Sequence, residues 1–187
     1  LKHFFITLVL AFLFASCSTK LQYAITTRLT QERFISRSEL FSGNIPSGWF
    51  SSIDTVHGNS LDVWILRNDY SAAIAFRELN LDQKSKEIVL KEGLDFLAEL
   101  SKSFSITDSS VMIRESKEFK IGENEFCSYE LRSGTLVKRY VVFPVGNHFF
   151  ECEATTLKGE WQQPSITELF TLQQSILASL QRKMDLP

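Results

Sequence analysis

Residues 136–145 read LVKRYVVFPV, with Tyr140, Val141, Val142 and Phe143 apolar on four consecutive positions. Successive side chains of a strand point to opposite faces. A run of this kind wants cover on both, so the strand belongs inside a sheet with a layer packed on either side. The alternative is a one-sided sheet that shows an aromatic face to solvent, and such a face would be an interaction surface.

Three more strand-like runs surround this one, at residues 111–121, 125–132 and 148–155. Ser133-Gly134 and Gly146-Asn147 suit the hairpin turns between them. Upstream, LDVWILR (61–67) and AAIAFRELNL (72–81) flank Asn68-Asp69-Tyr70-Ser71, whose side chains favour a tight reversal. Earlier still, residues 40–50 read as a short strand running into a turn set by Pro46 and Gly48, with Trp49 behind it. A helix capped by Asp82 or Ser85 then runs to residue 104, with Leu90, Leu94, Leu97 and Leu100 along one face. Gly93 falls in its middle, at a cost of about 1 kcal/mol against alanine. A closing helix starts at Ser165, which forms a capping box with Glu168. Its apolar stripe is Ile166, Leu169, Phe170, Ile176, Leu177 and Leu180. The expected class is α+β: an antiparallel sheet of about six strands with helices on both faces.

Charge narrows the range of partners. The chain carries 20 Lys+Arg against 22 Asp+Glu, and its longest basic tracts are Lys138-Arg139 and Arg182-Lys183. Nucleic-acid binding needs a basic face that displaces counterions from phosphates, and nothing here supplies one. No cofactor motif is present, and none is expected to be bound.

The N-terminus, LKHFFITLVLAFLFASC (1–17), has Lys2 before an apolar run over residues 4–14 broken only by Thr7. A spanning helix needs about twenty residues, so this run has the length of a signal's hydrophobic region. Phe14-Ala15-Ser16-Cys17 resembles the lipobox of bacterial lipoproteins, although the family usually has Leu, Val or Ile where Phe14 stands. The resemblance implies cleavage before Cys17 and lipidation of its thiol, with a diacylglycerol and an amide-linked acyl chain. Two chains hold a protein firmly where one does not. Ser18 follows, with no acidic residue in the next positions, which by the same resemblance implies the periplasmic face of the outer membrane. The chain then divides into a signal peptide (1–16), the lipidated cysteine and a tether (17–38), and a single domain (39–187). An ordinary secretory signal cut near Ala15 or Ser16 would instead leave Cys17 as a spare thiol.

Ile45-Pro46-Ser47-Gly48-Trp49, followed by a hairpin, a helix, an antiparallel meander and a closing helix, resembles the PsbP-like family over residues 39–181. That family includes extrinsic proteins of the oxygen-evolving complex, a nuclear-transport factor that binds a small GTPase, and many bacterial lipoproteins. The resemblance implies an α-β-α sandwich used for binding and assembly, generally without catalysis.

Residue chemistry adds little to this. Asp54, His57 and Asp62 could be read as metal ligands, but Gly58-Asn59-Ser60 between them is turn chemistry, and a solvated loop is expected. His148 and Cys152 share a strand face about 13 Å apart, too far for a thiol and its base. Of Trp49, Trp64 and Trp161, the last lies in a loop and is the candidate contact surface. A two-residue turn at Ser133-Gly134 sets Cys127 opposite Tyr140; one at Gly146-Asn147 sets Cys152 opposite Val141. The two thiols then lie on different faces, a strand apart, and are expected free and buried, since a bridge needs Cα atoms within about 7 Å. The expected function is a non-catalytic, membrane-anchored module for an envelope protein partner. The alternative is a carrier or receptor for a small apolar ligand held between sheet and helix.

Overall fold

The computed structural model describes residues 21–22, 28–53, 61–107, 109–157 and 163–182. Cys17, His57 and Trp161 lie outside them. The described strands are β1 (Leu21–Gln22), β2 (Leu29–Ile35), β3 (Phe41–Pro46), β4 (Trp49–Ser52), β5 (Val63–Arg67) and β6 (Ala72–Glu78). Helices α1 (Gln83–Glu92) and α2 (Leu94–Ser105) follow, then β7 (Ser110–Ile121), β8 (Asn124–Ser133), β9 (Leu136–Val145) and β10 (His148–Thr156). Helix α3 (Ile166–Ala178) and β11 (Gln181–Arg182) complete the order.

Eight strands form one sheet in the order β1-β7-β8-β9-β10-β6-β5-β4, more than the six expected, and β11-β3-β2 form a second. Every pairing is antiparallel except that of β1 with β7. The meander 110–156 holds as read, and β9 is central. Its alternating side chains enter two different clusters. Tyr140 and Val142 pack with Leu94, Leu97 and Ala98 of α2. Val141 and Phe143 pack with Leu169, Leu172, Ile176 and Leu177 of α3 and with Phe34, Phe41 and Ile45 of the small sheet.

Residues 29–35, expected to be tether, are a strand of the domain. In LTQERFI only Phe34 is buried, so no alternation announces the strand. Phe34 is 1% exposed and stacks on Phe76 at 5.5 Å. Phe41 meets the Phe150 ring edge-on at 5.0 Å. A Cβ on Gly43 would lie 2.7 Å from the Phe34 ring, so that crossing requires glycine. A domain boundary at residue 39 is therefore too late.

The expected single helix is two. Gly93 adopts φ 90° and ψ −169°, and its N–H closes α1 on the Val89 carbonyl at 2.8 Å. The break resets the helical phase. Val89 turns inward, while Leu90, expected on the buried stripe, is 74% exposed. Ile166 on α3 is likewise 40% exposed rather than buried.

The β9–β10 register is as expected, with Cys152 opposite Val141. On the other side the turn is Gly134-Thr135, with Gly134 at φ 61°, so Ser133 pairs with Leu136 and Cys127 faces Val142 rather than Tyr140. The turn moves by one residue and the partner by two, which preserves the face. Cys127 belongs to the α2 cluster and Cys152 to the α3 cluster; both are free and buried.

Candidate functional site

Each face of the sheet carries a polar constellation. Under α2, Glu151 of β10 is 1% exposed and stands opposite Arg77 of β6. Arg77 Nε lies 2.9 Å from Glu151 Oε1, a counter-charge whose N–H is not aligned on the oxygen. Ser101 Oγ donates to Glu151 Oε2, and the Tyr129 hydroxyl lies 2.7 Å from Ser101 Oγ and 3.3 Å from the same carboxylate oxygen. Arg77 Nη2 also reaches Glu153 at 3.1 Å, and Lys138 closes on Glu153 at 2.7 Å. The Tyr129 and Tyr140 rings stack at 4.9 Å beside this network. Burial holds the Glu151 carboxyl above the usual carboxylate range against the pull of Arg77, and it pushes the Tyr129 phenol up as well. These groups engage one another, and Ser101 of α2 bonds to the buried Glu151, which makes the network an internal tie.

The α3 face is open. On one flank of the helix, Trp49, Arg67, Pro164, Thr167, Glu168, Leu169, Thr171 and Leu172 line a groove of about 380 Å³. On the other flank a groove of about 350 Å³ is bounded by Arg114, Glu130, Arg139, Ile166, Thr167, Phe170, Thr171 and Gln174. Register builds the floor of this second groove. Arg114 of β7 pairs with Glu130 of β8, and Glu130 with Arg139 of β9. Arg139 is buried, with its guanidinium 5.5 Å from the Phe119 ring and 5.8 Å from Phe170. It donates to Ser128 Oγ at 3.4 Å and, with the Gln174 amide turned oxygen-first, to that oxygen at 3.0 and 3.2 Å. Arg114 Nε lies 3.5 Å from Glu130 Oε1. Thr167 and Thr171 form the ridge shared by both grooves.

The residues weighed from sequence fall as follows. Asp62 is a structural tie: its carboxylate accepts from Ser38 N at 2.8 Å and Ser38 Oγ at 3.2 Å, pinning the turn before β3. Burial raises its pKa against those bonds. His148 Nδ1 meets Glu78 Oε1 at 2.7 Å, while Cys152 sits against Gln173 Nε2 at 3.5 Å, so the structure does not bring the imidazole and the thiol together. Cys127 Sγ donates to Asp95 at 3.3 Å, and burial drives both thiols away from the thiolate. Trp49 lines a groove, whereas Trp64 is half-buried across from Ala75. Among the described residues no group of three His, Cys, Asp or Glu is placed to hold a metal. Sequence pattern passes over Arg114, Glu130 and Arg139; their signal is charge on strands whose neighbours are apolar, and it needs the correct register to become a site.

No family model matches the chain, and no curated protein matches it. Among solved structures it is similar to the solution structure of cyanobacterial PsbP (CyanoP) from Synechocystis sp. PCC 6803. That match has a TM-score of 0.52 and 9% identity, covering 86% of this chain and 96% of that one. A crystal structure from Bacteroides thetaiotaomicron VPI-5482 aligns with a TM-score of 0.40 and 17% identity, over 81% of this chain and 48% of that one. Likeness at such identity carries a fold and no function with it. The described residues have the PsbP-like fold, an α+β domain on a mostly antiparallel sheet.

Proposed function

We propose that this protein is a lipid-anchored, periplasm-facing lipoprotein whose domain binds or assembles envelope proteins without catalysis. The observation that carries the binding role is the pair of open grooves flanking α3, set against an opposite face whose polar groups are consumed by one another. The architecture we read is an α-β-α sandwich, with α1 and α2 over Tyr140 and Val142 and with α3 over Val141 and Phe143. Support for the anchor is the succession in sequence of Lys2, an apolar run, two small residues and Cys17, and Ser18 favours the periplasmic face of the outer membrane. Cells grown with a clickable fatty acid should yield a labelled wild-type chain that sediments with outer membranes. Cys17→Ser should be unlabelled, and equal labelling of the two refutes the anchor. A photo-crosslinking residue at Thr167 should give discrete envelope-protein adducts, and one at exposed Lys84 on α1 should not. Equal adducts from both positions refute the assignment of binding to the α3 face.

A second reading, a carrier for a small apolar ligand, is favoured by one feature. The Trp49 groove has an apolar wall of Trp49, Pro164, Leu169 and Leu172. Titration with hexadecanoate should then shift the indole emission in wild type and not in Trp49→Phe. An unchanged spectrum removes this reading.

A further inference from the structure

We propose that the corner of the domain where α2 ends and β7 begins rests on the phospholipid surface of the membrane that holds the Cys17 anchor. The proposal depends on the reading of Cys17 as lipidated, and it adds which part of the domain meets the bilayer.

Exposure singles out the corner. Among the described residues nine large apolar side chains are exposed, and four of them, Phe104, Ile106, Val111 and Ile113, fall within ten consecutive positions. The other five are spread singly along the chain, which is ordinary for a folded surface. Phe104 is 67% exposed and Val111 61%. A turn closes the corner: Ser110 N donates to the Thr107 carbonyl at 2.8 Å, and Thr107 Oγ1 and Ser110 Oγ lie 2.9 Å apart. By sequence, residues 103–113 carry one charge, Asp108, in a chain that is 22% charged. Apolar groups interleaved with serine and threonine hydroxyls suit the boundary between headgroups and acyl chains, where the apolar part is buried and the hydroxyls stay hydrated.

Chain direction supplies the occupant. β1 pairs with β7 in parallel, Leu21 beside Phe119 and Gln22 beside Lys120. The chain therefore enters β1 from the side on which β7 starts. Cys17 precedes Leu21 by four residues, a span of at most about 14 Å. Val111 precedes Phe119 by eight residues on β7, at most about 26 Å toward the start of that strand. Acyl chains on Cys17 thus hold the bilayer within reach of the β7 edge, and laying that edge along the surface brings the four side chains to it. A protein partner fits less well. A stable protein interface buries roughly 800 Å² on each side, more than four partly exposed side chains provide. An anchored domain needs only a weak contact, because the acyl chains keep the corner at high local concentration.

The test uses the full lipidated chain reconstituted in vesicles of phosphatidylethanolamine and phosphatidylglycerol. One sample carries a nitrobenzoxadiazole label on Val111→Cys, and another carries it on Ile53→Cys. Ile53 is also apolar and exposed, but it follows β4 on the opposite edge of the sheet, six strand spacings or about 29 Å from β7. Cys127 and Cys152 are buried and stay unlabelled in the folded chain. The Val111 label should shift its emission to the blue and be quenched by lipids spin-labelled near the headgroup end of the acyl chain. The Ile53 label should do neither. Phe104→Gln, added to the Val111 sample, should reduce the quenching, with sedimentation unchanged because two acyl chains still hold the domain. A Val111 label that stays in water, equal quenching at both positions, or quenching untouched by Phe104→Gln would each overturn the proposal. So would a blue shift in the Cys17→Ser chain that grows with protein concentration in the absence of vesicles, since it would assign the corner to a second copy. A chain that carries its lipids and sediments with vesicles but keeps Val111 in water loses this corner alone; a chain without fatty-acid label loses the anchor as well.

Discussion

Substituting Gly93 by alanine separates two accounts of residues 82–105 by the sign of its effect. If these residues formed one continuous helix, alanine would replace the poorer helix former and stabilise the protein by about 0.5–1 kcal/mol. In the structure Gly93 has φ 90° and ψ −169°, ending α1 and preceding the first residue of α2. That combination is essentially closed to residues with a Cβ and costs on the order of 1–3 kcal/mol. Sterics with neighbours do not confuse the reading. A Cβ built there meets nothing nearer than Glu118 Oε1, at 4.0 Å. The expected result is destabilisation of about 1–3 kcal/mol by urea unfolding, with an unchanged slope. Far-UV circular dichroism would be unchanged, since both helices keep their own hydrogen bonds. A Gly93→Ala variant more stable than wild type would show that the break is absent, and with it the inward turn of Val89 and the exposure of Leu90.

Three further outcomes follow from the same packing. Phe34→Ala should cost about 3–5 kcal/mol in urea unfolding, because the ring is 1% exposed against Phe41 and Phe76; a loss under about 1 kcal/mol would return residues 29–35 to the tether. Glu151 has a pKa raised above its ordinary 4.5 by burial. The folded state therefore holds its proton longer than the unfolded state, and Glu151's contribution to stability is lost as pH climbs above 4.5. Glu151→Gln removes that slope, so the variant should gain on wild type as pH rises through this window; a difference flat with pH counts against it. Thiol titration of the unfolded, non-reduced domain should find both Cys127 and Cys152, and a loss of either would contradict their placement on opposite faces.

What could be read from the sequence was whatever depended on local alternation. The four consecutive apolar residues 140–143 identify β9 as a strand covered on both faces, and Ser165 with Glu168 announces α3 through both bonds of the capping box. The Ser165 Oγ accepts from Glu168 N at 3.2 Å, and Glu168 Oε2 accepts from Ser165 N at 3.0 Å. Strand β2 was hidden because its one buried residue is Phe34, whose partner Phe76 lies far along the chain. The helix break was hidden because glycine is compatible with a weak helix interior and with a positive φ alike, and only the tertiary position of Val89 decides between them.

The groove shows why a site is harder to read than a fold. Its charges lie on three strands, at positions 114, 130 and 139, and only pairing brings them into a line. Placing the β8–β9 turn at Ser133-Gly134 sets Glu130 opposite Val137, and the row of charges disappears. Placing it at Gly134-Thr135 sets Glu130 opposite Arg139, as observed. The same slip of two positions leaves the Cys127 result untouched, because two is the side-chain period of a strand. Parity alone decides which face a residue occupies, and hence burial and the fate of the two thiols. A site needs the exact partner. The pairing of Ser133 with Leu136 makes Gly134 the first residue of the two-residue turn instead of the second, and its φ of 61° suits that position. With that glycine first, the turn puts Arg114, Glu130 and Arg139 in one row across three strands.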